Sequence, residues 1–309
     1  ADLSGLRTIP DYTDQMLTQM KDEGKIYWVP TTVSAFGLYC NEDLLKKHKQ
    51  KTPGNLKEWE SVCSYFTKKG ITPVICNNDI SLKTLAVGRG FYSVYQQNNQ
   101  KQVFENLNNG KEKLSRYLTP GFDLAQSLIQ QGYIDPDKSL KTEKTSDDLE
   151  EFAKGKSPFM LTGAWAAGRV KTMNPDLKFS VSPLPLLENG SMLVVNADTR
   201  LSVNADSRHV KAAEMFVEYF TQAENIQKFS DQQCSFSPLK GGKPSSVEEI
   251  RPLLSCYKDG KTVIGTDSML KLPIWNLTAE ASKQILSGKP VRSVMNRMDR
   301  QAEKERKVQ

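Results

Sequence analysis

Apolar residues recur along the chain at two spacings, and stretches of the two alternate. Trp59, Val62, Cys63 and Phe66 follow the i, i+3, i+4, i+7 rule behind Asn55, a residue suited to capping the helix they define. Val210, Ala213, Phe216, Val217 and Phe220 form a similar stripe in a helix opened by Ser207. Leu277, Ala281 and Ile285, then Val291, Val294 and Met298, mark two terminal helices around Gly288-Lys289-Pro290. Residues 10–23 read as a helix ending at Gly24, and 41–45 as the opening of another with acids at its positive end. Short apolar runs at 25–30, 35–40, 71–76, 179–185, 192–195 and 201–203 read as strands. Residues 82–160 are largely helical, broken at Asn108-Asn109-Gly110 and at Asp135-Pro136. Strands interleaved with helices predict an α/β architecture.

The 309 residues suffice for one large or two ordinary domains. A hydrophobic share of 38% with 25% charged residues is globular rather than disordered. No apolar run approaches the roughly 20 residues of a membrane span. The start, Ala1-Asp2-Leu3, is polar and unlike a signal peptide, which leaves a cytosolic protein or one whose targeting segment has been removed. The net charge of +6 is spread out; its densest patch, Lys46 to Lys51, suits a helix end, and no nucleic-acid motif accompanies it. Five cysteines without a CxxC pair, and two histidines, argue against a metal site; Cys234 and Cys256 remain open to pairing. No cofactor is implied. GxSxG, Walker A and HExxH are missing, Gly88-Arg89-Gly90 lacks a dinucleotide context, and the acids 147–151 read as a solvated helix start.

The most telling stretch runs from Phe159 to Gly168. An apolar strand ends at Gly163, and Ala164 and Trp165 follow before a helix can open. Two roles fit Trp165: a plug at the strand–helix junction, or an indole presented at a cleft mouth, where its face suits the C–H face of a sugar ring.

Taken in order, the segments resemble a known family. Residues 24–30, Tyr39-Cys40-Asn41-Glu42-Asp43-Leu44-Leu45, Pro53, Trp59-Glu60, residues 152–160, Gly163-Ala164-Trp165, residues 212–220 and 286–291 are similar to family 1 extracellular solute-binding proteins, the maltose-binding-like receptors of ABC sugar importers. The resemblance implies an α/β, two-lobed periplasmic-binding-protein-like fold with discontinuous lobes joined by crossing strands and a ligand cleft between them. Carried over, the first lobe holds 1–33 and 204–258, and the second 35–200 and 264–309. Closure about the crossings would hold the ligand. The chain enters where the family is already inside its first lobe, which sets the expectation of a first lobe incomplete at its N-terminus, a missing targeting segment, and weak binding by the piece as given.

For the site, the resemblance implies Trp165 as a stacking aromatic and Trp275, ahead of Gly288, as a second. Tyr27 and Trp28 precede the first crossing, and Ser34 stands where some relatives carry an acidic sugar ligand. Asn78 and Asp79 follow a strand end, and Asn196 and Asp198 lie before the second crossing; amides and carboxylates suit paired hydroxyls, and all four also suit turns. Arg169 fits either an acidic sugar or the surface. The implied protein is a monomeric bacterial receptor, not an enzyme. It is extracellular, membrane-tethered as a lipoprotein or periplasmic, and it delivers a sugar or oligosaccharide to a membrane permease of the ABC type. A sensor ectodomain of the same fold and a carbohydrate-active enzyme are the alternatives.

Overall fold

The computed structural model describes residues 1–308. Its framework is one strand, β3 (Val29–Asn41), in which every residue is buried. Before it stand only the two-residue strands β1 (Lys21–Asp22) and β2 (Lys25–Ile26), paired as a hairpin. After it come β4 (Val74–Ile75), β5 (Phe159–Gly163), β6 (Phe179–Ser182), β7 (Leu184–Leu187), β8 (Gly190–Leu201) and β9 (Thr262–Ile264). With β3 these six make a seven-stranded mixed sheet ordered β4-β5-β3-β8-β7, with β6 on β3 and β9 on β8. One edge of β3 pairs antiparallel with β5. The other is shared, β8 taking Val29 to Phe36 and β6 taking Leu38 to Asn41.

Helices cover the sheet. The Ile80–Gln96 helix is buried along most of its length and packs on the Leu114–Gln130 and Ile274–Leu286 helices. Asn41 and Asn55 cap the Glu42–Lys47 and Leu56–Thr67 helices by accepting from Leu44 and Glu58 N–H groups, and Trp59, Val62, Cys63 and Phe66 are buried as their spacing requires. No described helix is long and apolar enough to cross a membrane.

At the other end of β3 lies a smaller body without a sheet of its own beyond β1–β2. Helices Asp14–Met20, Val210–Phe220 and Ala223–Gln232 build it. It is tied to β3 by paired hydrogen bonds between Val33 and Phe236, 2.8 and 2.9 Å, and by the Tyr12 hydroxyl, which donates to the Pro30 carbonyl at 3.0 Å. The Ala1 nitrogen donates to the Val203 carbonyl at 2.6 Å. Residues 248–258 leave this body and pack on β6 and β8.

Several expectations change. The predicted helix over 10–23 is a short 3-10 turn and then Asp14–Met20, because Glu23 and Gly24 both take left-handed backbone angles and turn the chain into the β1–β2 hairpin. The separate runs 25–30 and 35–40 belong mostly to one strand. Thr31, Thr32 and Ser34, which interrupt the apolar pattern, are buried because their hydroxyls donate to Thr199 and Asp198. β8 likewise runs unbroken to Leu201. Among the acids 147–151, Asp148 is buried rather than solvated, accepting from Asn77 Nδ2 at 2.8 Å; burial pushes its pKa up. Cys234 and Cys256 are both free. The Val210–Phe220 helix forms, but only Val217 is buried, and Met215, Phe216 and Tyr219 are 73%, 57% and 61% exposed.

Candidate functional site

Side chains on a strand alternate faces, so Thr32, Ser34 and Phe36 share one face of β3. In register on β8 lie Asp198 opposite Thr32, Asn196 opposite Ser34, and Val194 opposite Phe36. The Ser34 hydroxyl donates to Asp198 Oδ2 at 2.8 Å. The Thr266 N–H and hydroxyl donate to Asn196 Oδ1 at 2.9 and 3.1 Å, binding the segment after β9 to β8.

Phe36 joins two indoles. Its ring centroid lies 5.1 Å from that of Trp165, edge to face, and 5.2 Å from that of Trp275, tilted. The two indoles are therefore no more than 10.3 Å apart, the two separations laid end to end. Trp165 follows β5 directly. Tyr39 on β3 donates its hydroxyl to the Gly163 carbonyl at 2.8 Å and the Ala164 carbonyl at 3.2 Å, which pins the turn that carries the indole. Trp275 opens the Ile274–Leu286 helix and lies against Gly265, where a methyl would stand 2.9 Å from its ring.

Both indoles line a cavity of about 550 Å³. Its walls are Phe36, Ile80, Lys144, Thr145, Trp165, Asn196, Ala197, Asp198, Thr199, Arg200, Thr266 and Trp275. A lining that combines aromatic rings with amide, hydroxyl, carboxylate and cationic groups can hold a flat, hydroxylated ring: C–H groups against indole, hydroxyls on the polar groups.

The sequence-selected residues divide. Trp165, Trp275, Asn196 and Asp198 line the cavity, and Ser34 is buried beneath it, bonded to Asp198. Trp28 lies under the Arg200 guanidinium, 3.9 Å from its centroid, and so meets the lining indirectly. Asp79 is outside the lining but accepts from Lys83 at 2.5 Å and from the lining residue Lys144. Burial raises its pKa, and the two ammonium groups outweigh that, holding it below the usual carboxylate range. Tyr27 is exposed away from the cavity. The Asn78 amide donates to the Leu140 carbonyl at 3.4 Å, and Arg169 donates to the Thr145 carbonyl at 3.0 Å; neither lines the cavity. Sequence reasoning missed Phe36, Lys83, Lys144, Arg200 and Thr266. A lysine in the apolar run Leu82 to Val87 was the one available signal.

A family model for bacterial extracellular solute-binding proteins matches residues 1–246. The chain belongs to that family. Among its relatives is the multiple sugar-binding protein of Streptococcus mutans serotype c, 26% identical over 247 residues. That match takes in 76% of this chain but 56% of the relative, so the chain spans little over half of that relative's length. Solved structures of solute-binding proteins share its two-lobed fold. A putative binding protein (msme) of Bacillus subtilis in an open conformation superposes with a TM-score of 0.78 at 18% identity, covering 100% of this chain and 79% of that one. RafE, a Streptococcus pneumoniae protein, in complex with raffinose gives 0.73 at 21%, covering 99% and 80%.

Proposed function

We propose that the chain is the ligand-holding part of a sugar receptor. It takes an oligosaccharide between Trp165 and Trp275 and passes it to an ABC importer in the membrane. The observation that carries this reading is the pair of indoles flanking Phe36 in one cavity whose lining also carries polar groups. Two aromatic platforms about one to two sugar residues apart suit a ligand of two or more rings. Solute-binding kinship and the sugars in the relatives' names support the same reading.

In this reading the lobes are 1–33 with 204–258 and 35–200 with 264–309, residues 248–258 lying at their junction. The β3–β8 crossing is the hinge, and closure presents a joint surface of both lobes to the permease. The receptor works outside the cell or in the periplasm and binds without transforming its ligand.

Isothermal titration with raffinose, stachyose and maltotriose tests the proposal, with product analysis after prolonged incubation. Saturable binding of at least one, with the sugar recovered intact, is the expected result. Binding by none of them, or cleavage of the glycosidic bond, overturns it.

A further inference from the structure

Behind the cavity wall lies an ammonium group that sugar binding does not itself require. Lys83, in the first turn of the Ile80–Gln96 helix, is 1% exposed. Lysine is almost never buried this fully without partners. Its Nζ has two: Asp79 Oδ1 at 2.5 Å, and the ring of Trp275, whose centroid is 4.2 Å away. Asp79 also accepts from Lys144, which lines the cavity and is half exposed. One carboxylate thus serves two ammonium groups. One of them faces the ligand space and the other is pressed on an indole that also faces it.

An apolar side chain of similar length would fill the same volume without taking a charge out of water. The charge is held where it meets the indole face, which carries the ring's negative quadrupole. Gly265 leaves room at one end of the ring, and Phe36 meets it at a 52° tilt. A fixed cation against the face adds a third restraint on the rotation of the indole about its side-chain bonds.

We propose that Lys83 is a positioning residue of the cavity, acting through Trp275: its buried ammonium fixes the tilt of the indole, and the Asp79–Lys144 pair fixes the ammonium. The role in binding rests on the sugar-receptor reading; the role in holding the ring does not.

The test uses the chain as it stands in four forms: unaltered, Lys83→Met, Trp275→Phe, and both together. Tryptophan emission and acrylamide quenching are recorded without ligand, and affinities for raffinose and maltotriose with it. Lys83→Met is expected to change emission and quenching in the presence of Trp275 and to leave them unchanged in the Trp275→Phe background. Affinity is expected to fall roughly 3- to 30-fold in the first background and much less in the second, with Lys83→Arg recovering most of the loss. Equal emission before and after Lys83→Met, or equal affinity losses in both backgrounds, overturns the proposal. If the unaltered chain binds no sugar, the receptor reading fails while the emission comparison still decides the role of Lys83. If Lys83→Met loses its cooperative melt, Asp79→Asn, which releases the ammonium without emptying its space, replaces it under the same criteria.

Discussion

The indole of Trp165 lies over the α-carbon of Gly163. A methyl at Gly163 would stand 2.1, 2.2 and 2.3 Å from three atoms of the six-membered ring. Near-equal distances to three neighbouring atoms place that methyl over the ring face, not beyond its edge. Gly163 has φ −76 and ψ 142, angles that alanine adopts freely. The glycine is therefore needed for space. Gly163→Ala is expected to displace the indole and weaken sugar binding by about 1 kcal/mol or more, although Trp165 is still present. Overpacking should lower stability by about 1–3 kcal/mol. Titration calorimetry and melting check both, and unchanged affinity would show that the indole does not stack on ligand.

Trp165→Ala removes the platform itself. The ring is half buried and its described aromatic contact is the edge-to-face one with Phe36. Affinity should drop by roughly 1–3 kcal/mol, while stability changes by about 1 kcal/mol or less. A core tryptophan would instead lose about 3–5 kcal/mol of stability. Chemical denaturation beside ligand titration separates the two.

Tyr39→Phe deletes one hydroxyl from a fully buried ring. The Gly163 and Ala164 carbonyls lose their side-chain donor, which should lower stability by about 1–3 kcal/mol. The turn carrying Trp165 loosens as well, so affinity should weaken beyond what the stability change explains. Hydrogen exchange of amides around 163–166 should quicken if the tether acts as described.

Asp79 gives stability a dependence on pH. Burial raises its pKa, but Lys144 and Lys83 outweigh burial and hold it below that of an unfolded aspartate. A carboxylate with a lowered folded pKa stabilises the fold fully above its unfolded pKa, near 4, and loses that contribution as pH falls through the folded value. Melting temperature should therefore decline between about pH 5 and pH 2, and part of the decline should vanish in Asp79→Asn. An identical pH profile for the variant would remove Asp79 from the account.

The exposed stripe Met215, Phe216 and Tyr219 holds little of the fold together. Replacing Phe216 and Tyr219 by serine should change stability by no more than about 0.5 kcal/mol each. It should raise the ammonium sulfate concentration at which the chain precipitates, since apolar surface is what salting-out acts on.

Much of this molecule was legible because local rules met no competition. Asn41 and Asn55 cap helices, the Trp59 to Phe66 stripe is buried, and the glycine-to-tryptophan turn stands at a strand end beside the cavity. What escaped reading depends on partners distant in sequence. The threonines and serine of β3 look like a loop until β8, some 165 residues away, supplies their acceptors. Phe36 looks like any core residue until two indoles converge on it. Lys83 needs Asp79 one turn back and Trp275 nearly two hundred residues on. Periodicity records which face of an element is apolar. It does not record which distant residue will meet that face.

The β3–β8 ladder keeps one register from Val29–Leu201 to Phe36–Val194, through the junction of the two bodies, interrupted only at Thr31, opposite Thr199 with its left-handed backbone angle. A paired ribbon of two strands resists stretching and shearing, because either would break hydrogen bonds, but it yields to twist, which bends every bond a little and breaks none. Rotation of one body against the other would then load a torsional spring, with no loop to melt. The restoring torque of that spring would be set in part by bonds across the ribbon, such as Thr31 donating to the Thr199 carbonyl at 2.6 Å. Softening or stiffening the ribbon would move the balance between open and closed forms, and with it the ligand concentration needed to close the two bodies.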